Sequence, residues 1–478
     1  MCTCKQTRRQ FLRTASLASM AGFYVSPFFL ELNSLAAMAQ GSGSSDYRAL
    51  VCVYLQGGND GHGTVIATDT DSYAAFVSAR SGAPGLAYPL NELLPITPLT
   101  PQSGRTFALN PNLAGVQNLF NAGRAAIVAN TGTLVTPATK TQINNNTVQL
   151  PDSLFSHFDQ TAAWQAIASN LGSGEHVGWG GAVADAIEAM NMNSNSMFTC
   201  ISTCGNALFL AGQTSFQLNV TPAGPIPIYG LQQPPFGLAA SVNPLNSILT
   251  AEESNLFAQE YEVVVNRSMQ AQATLVTAMA PAGPTGVANP PQYLDPVSMK
   301  LMDNPLAASL QTVARIIAGR ASLGVTRQIF YVQLGSFDTH NNQAQIHSQL
   351  LTQLGAAFQY FDGLMVGMGL SNNVTTFTVS DFGRTLTCNS NGTDHGWGSH
   401  HFVIGGAVNG QNMYGTYPVV GTDQANDVGE GRLIPTTSVE QYAGTLAQWF
   451  GLSDSQIRTV FPNFANFGSN PYLGFMST

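Results

Sequence analysis

The sequence predicts an α/β fold, a three-layer sandwich whose central sheet is mostly parallel. Three observations carry this. The runs "RALVCVYLQ" (48–56), "RQIFYVQLG" (327–335) and "VTTFTVS" (374–380) are rich in apolar and β-branched residues, as strands covered on both faces are. Segments with helical spacing of apolar residues separate them. Between 327 and 380 the order strand, helix, strand with short joints calls for a right-handed parallel crossover.

Taken in order, residues 40–48 read as a flexible leader, and the first strand follows, broken at Gly57-Gly58. "NLAGVQNLFNAGRAAIVANTG" gives a short amphipathic helix, a stop at Gly123 and a strand from Ala125 to Ala129. Residues 141–152 are polar loop, after which "SLFSHFDQTAAWQAIAS" returns to helical spacing. The stretch 190–250 is rich in Asn, Pro and Gly with short β-like runs, and 190–300 is expected to form an insertion or cap over the sheet. A long helix is expected over 250–279. "LAASLQTVARIIAG" is a helix closed by Gly319, and "NQAQIHSQLLTQLGAAFQYFDGLM" aligns Ile346, Leu350, Leu354, Phe358 and Phe361 on one face. "TSVEQYAGTLAQWFG" opens with Ser438 and Gln441 in capping-box spacing and ends at Gly451.

Bulk composition narrows the function. The chain has 478 residues, only 9% of them charged, and a net charge of −9. No basic stripe is present to neutralise phosphates, which excludes nucleic acid as a partner. No stretch beyond the N-terminus is apolar enough to span a bilayer. The N-terminus carries Arg8-Arg9, Phe11-Leu12, a moderately apolar stretch and Ala37-Met38-Ala39, the pattern of a twin-arginine export signal over 1–39. That pattern implies the twin-arginine machinery as a partner and a mature protein, 40–478 as one domain, in the periplasm or outside the cell. Cys2 and Cys4 would leave with the signal. For Cys200 and Cys204 an oxidising compartment favours a local disulfide over a metal site, and Cys52 reads as core.

The acidic residues fall in a regular way. The first strand is followed by Asn59-Asp60, the strand at 327 by Asp338-Thr339-His340, and the strand at 374 at once by Asp381. In a parallel sheet those strand ends share one edge, where ligands bind. Carboxylates gathered there repel unless cations sit between them. Three of the eight histidines lie in the Gly-rich loop "GTDHGWGSHH", and His395 from that loop and His340 from its turn are placed to complete a metal shell. Helix capping or turn formation by Asp60 and Asp338 is the alternative, and it leaves the histidines unexplained.

The twin-arginine start, "QGGNDGHGT", "GSFDTHNNQ", "SDFGRT", "GTDHGWGSHHFVIGGAVNG" and "VEQYAGTLAQWFG" together resemble domain-of-unknown-function family 1501 over nearly the whole mature chain. That family is regarded as a distant member of the alkaline-phosphatase-like superfamily of phosphatases and sulfatases. The resemblance implies an alkaline-phosphatase-like sandwich and one or two divalent ions, zinc, manganese or calcium. Asp60, Asp338, His340, Asp381 and His395 are similar to the superfamily's metal ligands. The chain departs from the pattern in having Phe382 where the superfamily has a histidine, and His400 is then a candidate substitute. Ser156, ahead of a helix, resembles the nucleophile position and equally fits a helix cap. Arg384 is placed either to hold an oxyanion or to orient Asp381. The expectation is an exported metal-dependent hydrolase of phosphate or sulfate esters, acting on a small ester or a polymer. The alternative is a non-catalytic exported envelope or binding protein that retains the fold.

Overall fold

β1 (Arg48–Leu55) sends alternate side chains into two separate cores, and this fixes the layering. Ala49, Val51, Val53 and Leu55 belong to one cluster of buried residues, and Leu50, Cys52 and Tyr54 to the other. A strand apolar on both faces is stable only with a layer on each side. The computed structural model describes residues 46–166, 177–232, 244–249, 251, 255–283 and 285–477. The export signal expected over 1–39, with Cys2 and Cys4, lies outside the described residues.

Among the described residues, ten strands form the central sheet. After β1 come β2 (Ala125–Gly132), β3 (Cys200–Ser202), β4 (Gln217–Thr221) and β5 (Gly224–Pro225). They are followed by β6 (Arg327–Leu334), β7 (Val374–Ser380), β8 (Ser399–Ile404), β9 (Asn412–Tyr414) and β10 (Thr437–Ser438). The order is β9-β2-β8-β7-β1-β6-β3-β4-β5, with β10 also on β2. β1 is parallel to both β6 and β7, pairing Leu55 with Leu334 on one side and Ser380 on the other. The antiparallel pairings are those of β8 with β7 and β2, and of β5 with β4.

Helices cover both faces. They are α1 (Thr70–Arg80), α2 (Ala114–Asn121), α3 (His157–Gln165), α4 (Trp179–Ala189), α5 (Leu256–Ala278), α6 (Pro305–Ala318), α7 (Gln343–Gly367), α8 (Val439–Phe450) and α9 (Asp454–Val460). The first core takes Val116 and Phe120 of α2, Leu275 of α5, Leu310 and Ile317 of α6 and Leu354 and Phe358 of α7. The second takes Trp164 of α3, Val183 of α4, Tyr442 and Leu446 of α8 and Ile457 of α9. The result is the expected three-layer sandwich with a mostly parallel sheet. No described helix is long and apolar enough to cross a membrane.

Within the segment 190–300, Cys200–Ser202 pairs in parallel with both β6 and β4, so β3, β4 and β5 join the sheet. One expectation is corrected. Cys200 and Cys204 are free thiols, as are Cys52 and Cys388. Cys200 lies buried in β3 and Cys204 exposed just beyond it.

Candidate metal centre

Because β7, β1 and β6 are adjacent and parallel, the segments leaving their C-terminal ends meet at one edge. The turn after β1 is tight. Gly57 has φ +112°, and a Cβ there would lie 2.3 Å from the backbone nitrogen of Asp338. The β1 and β6 exits therefore touch backbone to backbone, which only glycine permits. Arg384, fully buried, ties these exits together. It donates to the carbonyls of Gly58 (3.0 Å), Gly57 (2.8 Å), Phe337 (3.1 Å) and Thr393 (2.9 Å), and to Asp338 Oδ1. Its bonds go to the protein's own carbonyls, and its carboxylate partner is Asp338.

Asp381 is 2% exposed. Its Oδ1 accepts from Tyr54 Oη at 2.6 Å and from the Gly57 N–H at 3.0 Å, and its Oδ2 lies 2.7 Å from His157 Nδ1. Burial pushes this carboxyl up, but the bonds from His157, Tyr54 and Gly57 outweigh it and hold the group below its ordinary value. The hydrogen bond that His157 donates to Asp381 in turn raises the His157 imidazole. His157 is here because α3 begins at this edge, with Ser156 as N-cap accepting from Asp159 N–H at 3.5 Å. The Ser156 hydroxyl is thus used as a cap.

Three imidazoles converge on Asp338, whose side chain is 48% exposed. The Nε2 atoms of His340, His157 and His395 lie 3.2, 3.4 and 3.5 Å from Asp338 Oδ1. The Nε2 atoms of His340 and His395 are 2.9 Å apart. Each ring is held from behind at Nδ1. His157 is held by Asp381, His340 by Asp394 Oδ1 at 2.9 Å, and His395 by the carbonyl of Phe155 at 2.7 Å. Carboxylates and carbonyls only accept, so each Nδ1 carries a proton and each ring turns its Nε2 atom inward. His157 Nε2 is buried without a hydrogen-bond partner. Nε2 atoms facing one another, with each Nδ1 backed by a carboxylate or carbonyl acceptor, are the arrangement that metal-binding imidazoles adopt. His157, Asp338 and His395 offer ligand atoms within 4.8 Å of one another. Phe382 walls the cluster, its ring centroid 4.8 Å from that of His157 and 4.6 Å from that of His395.

The other expected ligands stand apart from this convergence. Asp60 is buried against Arg80 of α1, with Nη1–Oδ2 at 2.7 Å and Nη2–Oδ1 at 2.9 Å. It also accepts from Gln343 Nε2 (2.6 Å) and caps the turn Gly61–Thr64 through Gly63 N–H (3.1 Å). The charge of Arg80 overcomes burial and holds Asp60 well below the usual carboxylate range. His400 is buried in β8, stacked on Tyr417 at 4.6 Å, and its Nδ1 accepts from the Asn130 N–H at 3.0 Å. Asp381 lies behind His157, its oxygens taken. His157, Tyr54 and Asp394 were not among the expected site residues. His157 was hidden by its place beside a capping serine, whereas Asp394 adjoins His395 in the same loop.

Beside the cluster opens a cleft of about 700 Å³. Tyr54, His157, Asp381, Tyr331, Gln56, Gln333 and Phe158 are among the residues lining it.

No curated protein matches the sequence. Among solved structures, the PsFucS1 sulfatase from Pseudoalteromonas sp. is similar with 8% identity and a TM-score of 0.32, covering 89% of this chain and 72% of that one. A protein described in the metabolism of multiple glycosaminoglycans by Bacteroides thetaiotaomicron gives 10% identity and a TM-score of 0.33, covering 86% and 74%. Ps i-CgsB, in complex with k-i-k-neocarrahexaose, gives 9% and 0.33 with the same coverage. The family model described as "Protein of unknown function (DUF1501)" matches residues 47–461, so the chain belongs to that family.

Proposed function

We propose that this protein is an exported metal-dependent hydrolase of phosphate or sulfate esters, with its centre at His157, Asp338, His340 and His395. The observation that carries the reading is the convergence of three imidazole Nε2 atoms on Asp338 Oδ1, each ring anchored at Nδ1. A divalent cation held by these side chains would supply Lewis-acid polarisation of the ester. The chain's own residues do the rest. Asp381, fixed by Tyr54 and Gly57, keeps the His157 proton on Nδ1. Phe382 excludes water from one side of the imidazoles. The cleft beside His157 takes the alcohol part of the ester, and its lining holds no Lys or Arg among the described residues. Export rests on the N-terminal pattern of paired arginines and a small-residue cleavage site.

The test is turnover of an aryl phosphate and an aryl sulfate by protein purified from an exporting host. Activity should disappear with chelator, return with divalent metal, and fall to background in Asp338→Ala. A metal-loaded protein inert toward both esters would rule the hydrolase out. The use of Ser156 as a cap and of Arg384 as a backbone clamp favours a second reading, an exported non-catalytic binding protein. Inert, metal-loaded protein is the outcome that reading expects.

A further inference from the structure

We propose that the centre is mononuclear and takes a first-row transition ion. His340 is its fourth ligand, and the Arg80 guanidinium stands as a permanent cation where a second ion would need Asp60. The proposal rests on reading the cluster as a metal centre, and it concerns how many ions bind and of which kind.

The donor set argues for one borderline ion. Three imidazole nitrogens and one carboxylate oxygen suit zinc, cobalt, manganese or iron, whereas calcium and magnesium require oxygen donors. The spacing agrees. Donors about 2.0–2.1 Å from a tetrahedral ion are about 3.3 Å apart; here the three Nε2 atoms lie 3.2–3.5 Å from Asp338 Oδ1 and those of His340 and His395 are 2.9 Å apart. His340 is added to the group of His157, Asp338 and His395 because its Nε2 is the nearest of the three to Asp338 Oδ1 and also faces His395 Nε2.

A second ion has no free carboxylate among the described acids of the strand ends. Both oxygens of Asp60 face Arg80, and Gln343 and the Gly63 N–H fill their remaining directions. Arg80 itself is immobilised, donating through Nε to the Leu386 carbonyl at 2.6 Å and through Nη2 to the Thr385 carbonyl at 3.1 Å. The ion pair is 0% and 1% exposed on its two sides. Displacing a buried guanidinium by a hydrated metal would leave that charge unpaired, which is strongly unfavourable before any new ligand forms. Both oxygens of Asp381 are likewise bonded, by Tyr54, Gly57 and His157.

Full-length protein is stripped with EDTA and reconstituted separately with excess Zn²⁺, Co²⁺, Mn²⁺ and Ca²⁺. Elemental analysis follows gel filtration, and absorption is recorded for the Co²⁺ form. One Zn²⁺ or Co²⁺ per chain is expected, with visible cobalt bands of a four-coordinate site and no retention of Ca²⁺. His340→Gln should weaken Co²⁺ binding by more than about 100-fold, beyond the roughly 10–100-fold that loss of a supporting hydrogen bond causes. Asp60→Asn, if its circular dichroism is native, should still bind one ion. Two ions per chain, retention of Ca²⁺, unchanged affinity in His340→Gln, or loss of the ion in a folded Asp60→Asn would each overturn the proposal. The wild-type stoichiometry decides even where a variant fails to fold. One ion without ester turnover would remove the hydrolase reading and leave this one standing, whereas no ion at all would remove both.

Discussion

Asp381 acts through His157, and its own support is Tyr54. Replacing Tyr54 by Phe removes the hydroxyl that donates to Asp381 Oδ1 and contacts Thr161 Oγ1 at 2.6 Å. Leaving a buried carboxylate short of one partner costs about 1–3 kcal/mol. Loss of an outer partner of a ligating histidine typically weakens metal binding about 10–100-fold. Tyr54→Phe is therefore expected to lower the urea midpoint and metal affinity together, measurable by denaturation of the apo-protein and by Co²⁺ titration. Arg80→Ala tests a different residue. It leaves Asp60 charged and buried, and should cost about 3–5 kcal/mol in the same denaturation experiment. At this scale the sequence was partly legible. Asp338, His340 and His395 show themselves through strand-end position and a histidine-rich glycine loop. Asp60 has the same strand-end signature, yet its partner Arg80 lies on the next helix, and nothing in the spacing reveals that pairing. His157 sits where a capping box also fits, so local chemistry concealed it.

At the scale of elements, the exit from β1 is the most constrained piece of backbone at the site. Gly57→Ala forces a side chain into a positive-φ position and into the Asp338 backbone nitrogen. It should destabilise by more than about 1 kcal/mol, and it should also move Asp338, so metal affinity is expected to fall with stability. An ordinary surface Gly→Ala change would alter stability alone. α8 carries a second testable feature. Its capping box, Ser438 with Gln441, forms as its spacing suggests, and next to it Glu440 is buried with Oε1 accepting from Asn463 at 2.9 Å and Oε2 unpartnered. Burial pushes Glu440 up to about 7, from about 4.3 in an unfolded chain. The folded state therefore holds this proton more tightly, and the contribution to stability is full below pH 4.3 and is lost as pH rises through 7. Glu440→Gln is expected to gain stability relative to wild type between pH 5 and pH 8, read from denaturation midpoints at both. The elements themselves were legible where apolar runs were long. β7 spans the quoted run 374–380, and α6 stops at Gly319. β3 and β5, of three and two residues, were not legible as part of the sheet, because strands so short are defined by the neighbour they pair with.

For the whole molecule, a chain with few charges buries several of its histidines as neutral rings. Burial lowers His62 and His347 to about 4 and His401 to about 3, and lowers His400 well below its ordinary value. In the unfolded chain each would take up a proton near pH 6.5. Between about pH 6.5 and 4 the unfolded state therefore binds more protons, and stability falls as pH falls. Global unfolding by urea should show its midpoint dropping across that window, with the drop reduced in His401→Gln, whose ring packs between Trp164 and Tyr442. The layered architecture was legible because β1 is apolar on both faces. The convergence of α3, the β6 exit and the 381–399 loop was legible only in part, since α3 reaches the edge by tertiary packing.

The central claim is that His157, Asp338, His340 and His395 hold one metal ion. Its most direct measurement is an anomalous difference map from crystals of the Zn²⁺-loaded protein, collected at the zinc edge. The expected result is a single peak about 2.0–2.2 Å from the three Nε2 atoms and Asp338 Oδ1. A map with no peak there, or with its peak at Asp60 or His400, would contradict it.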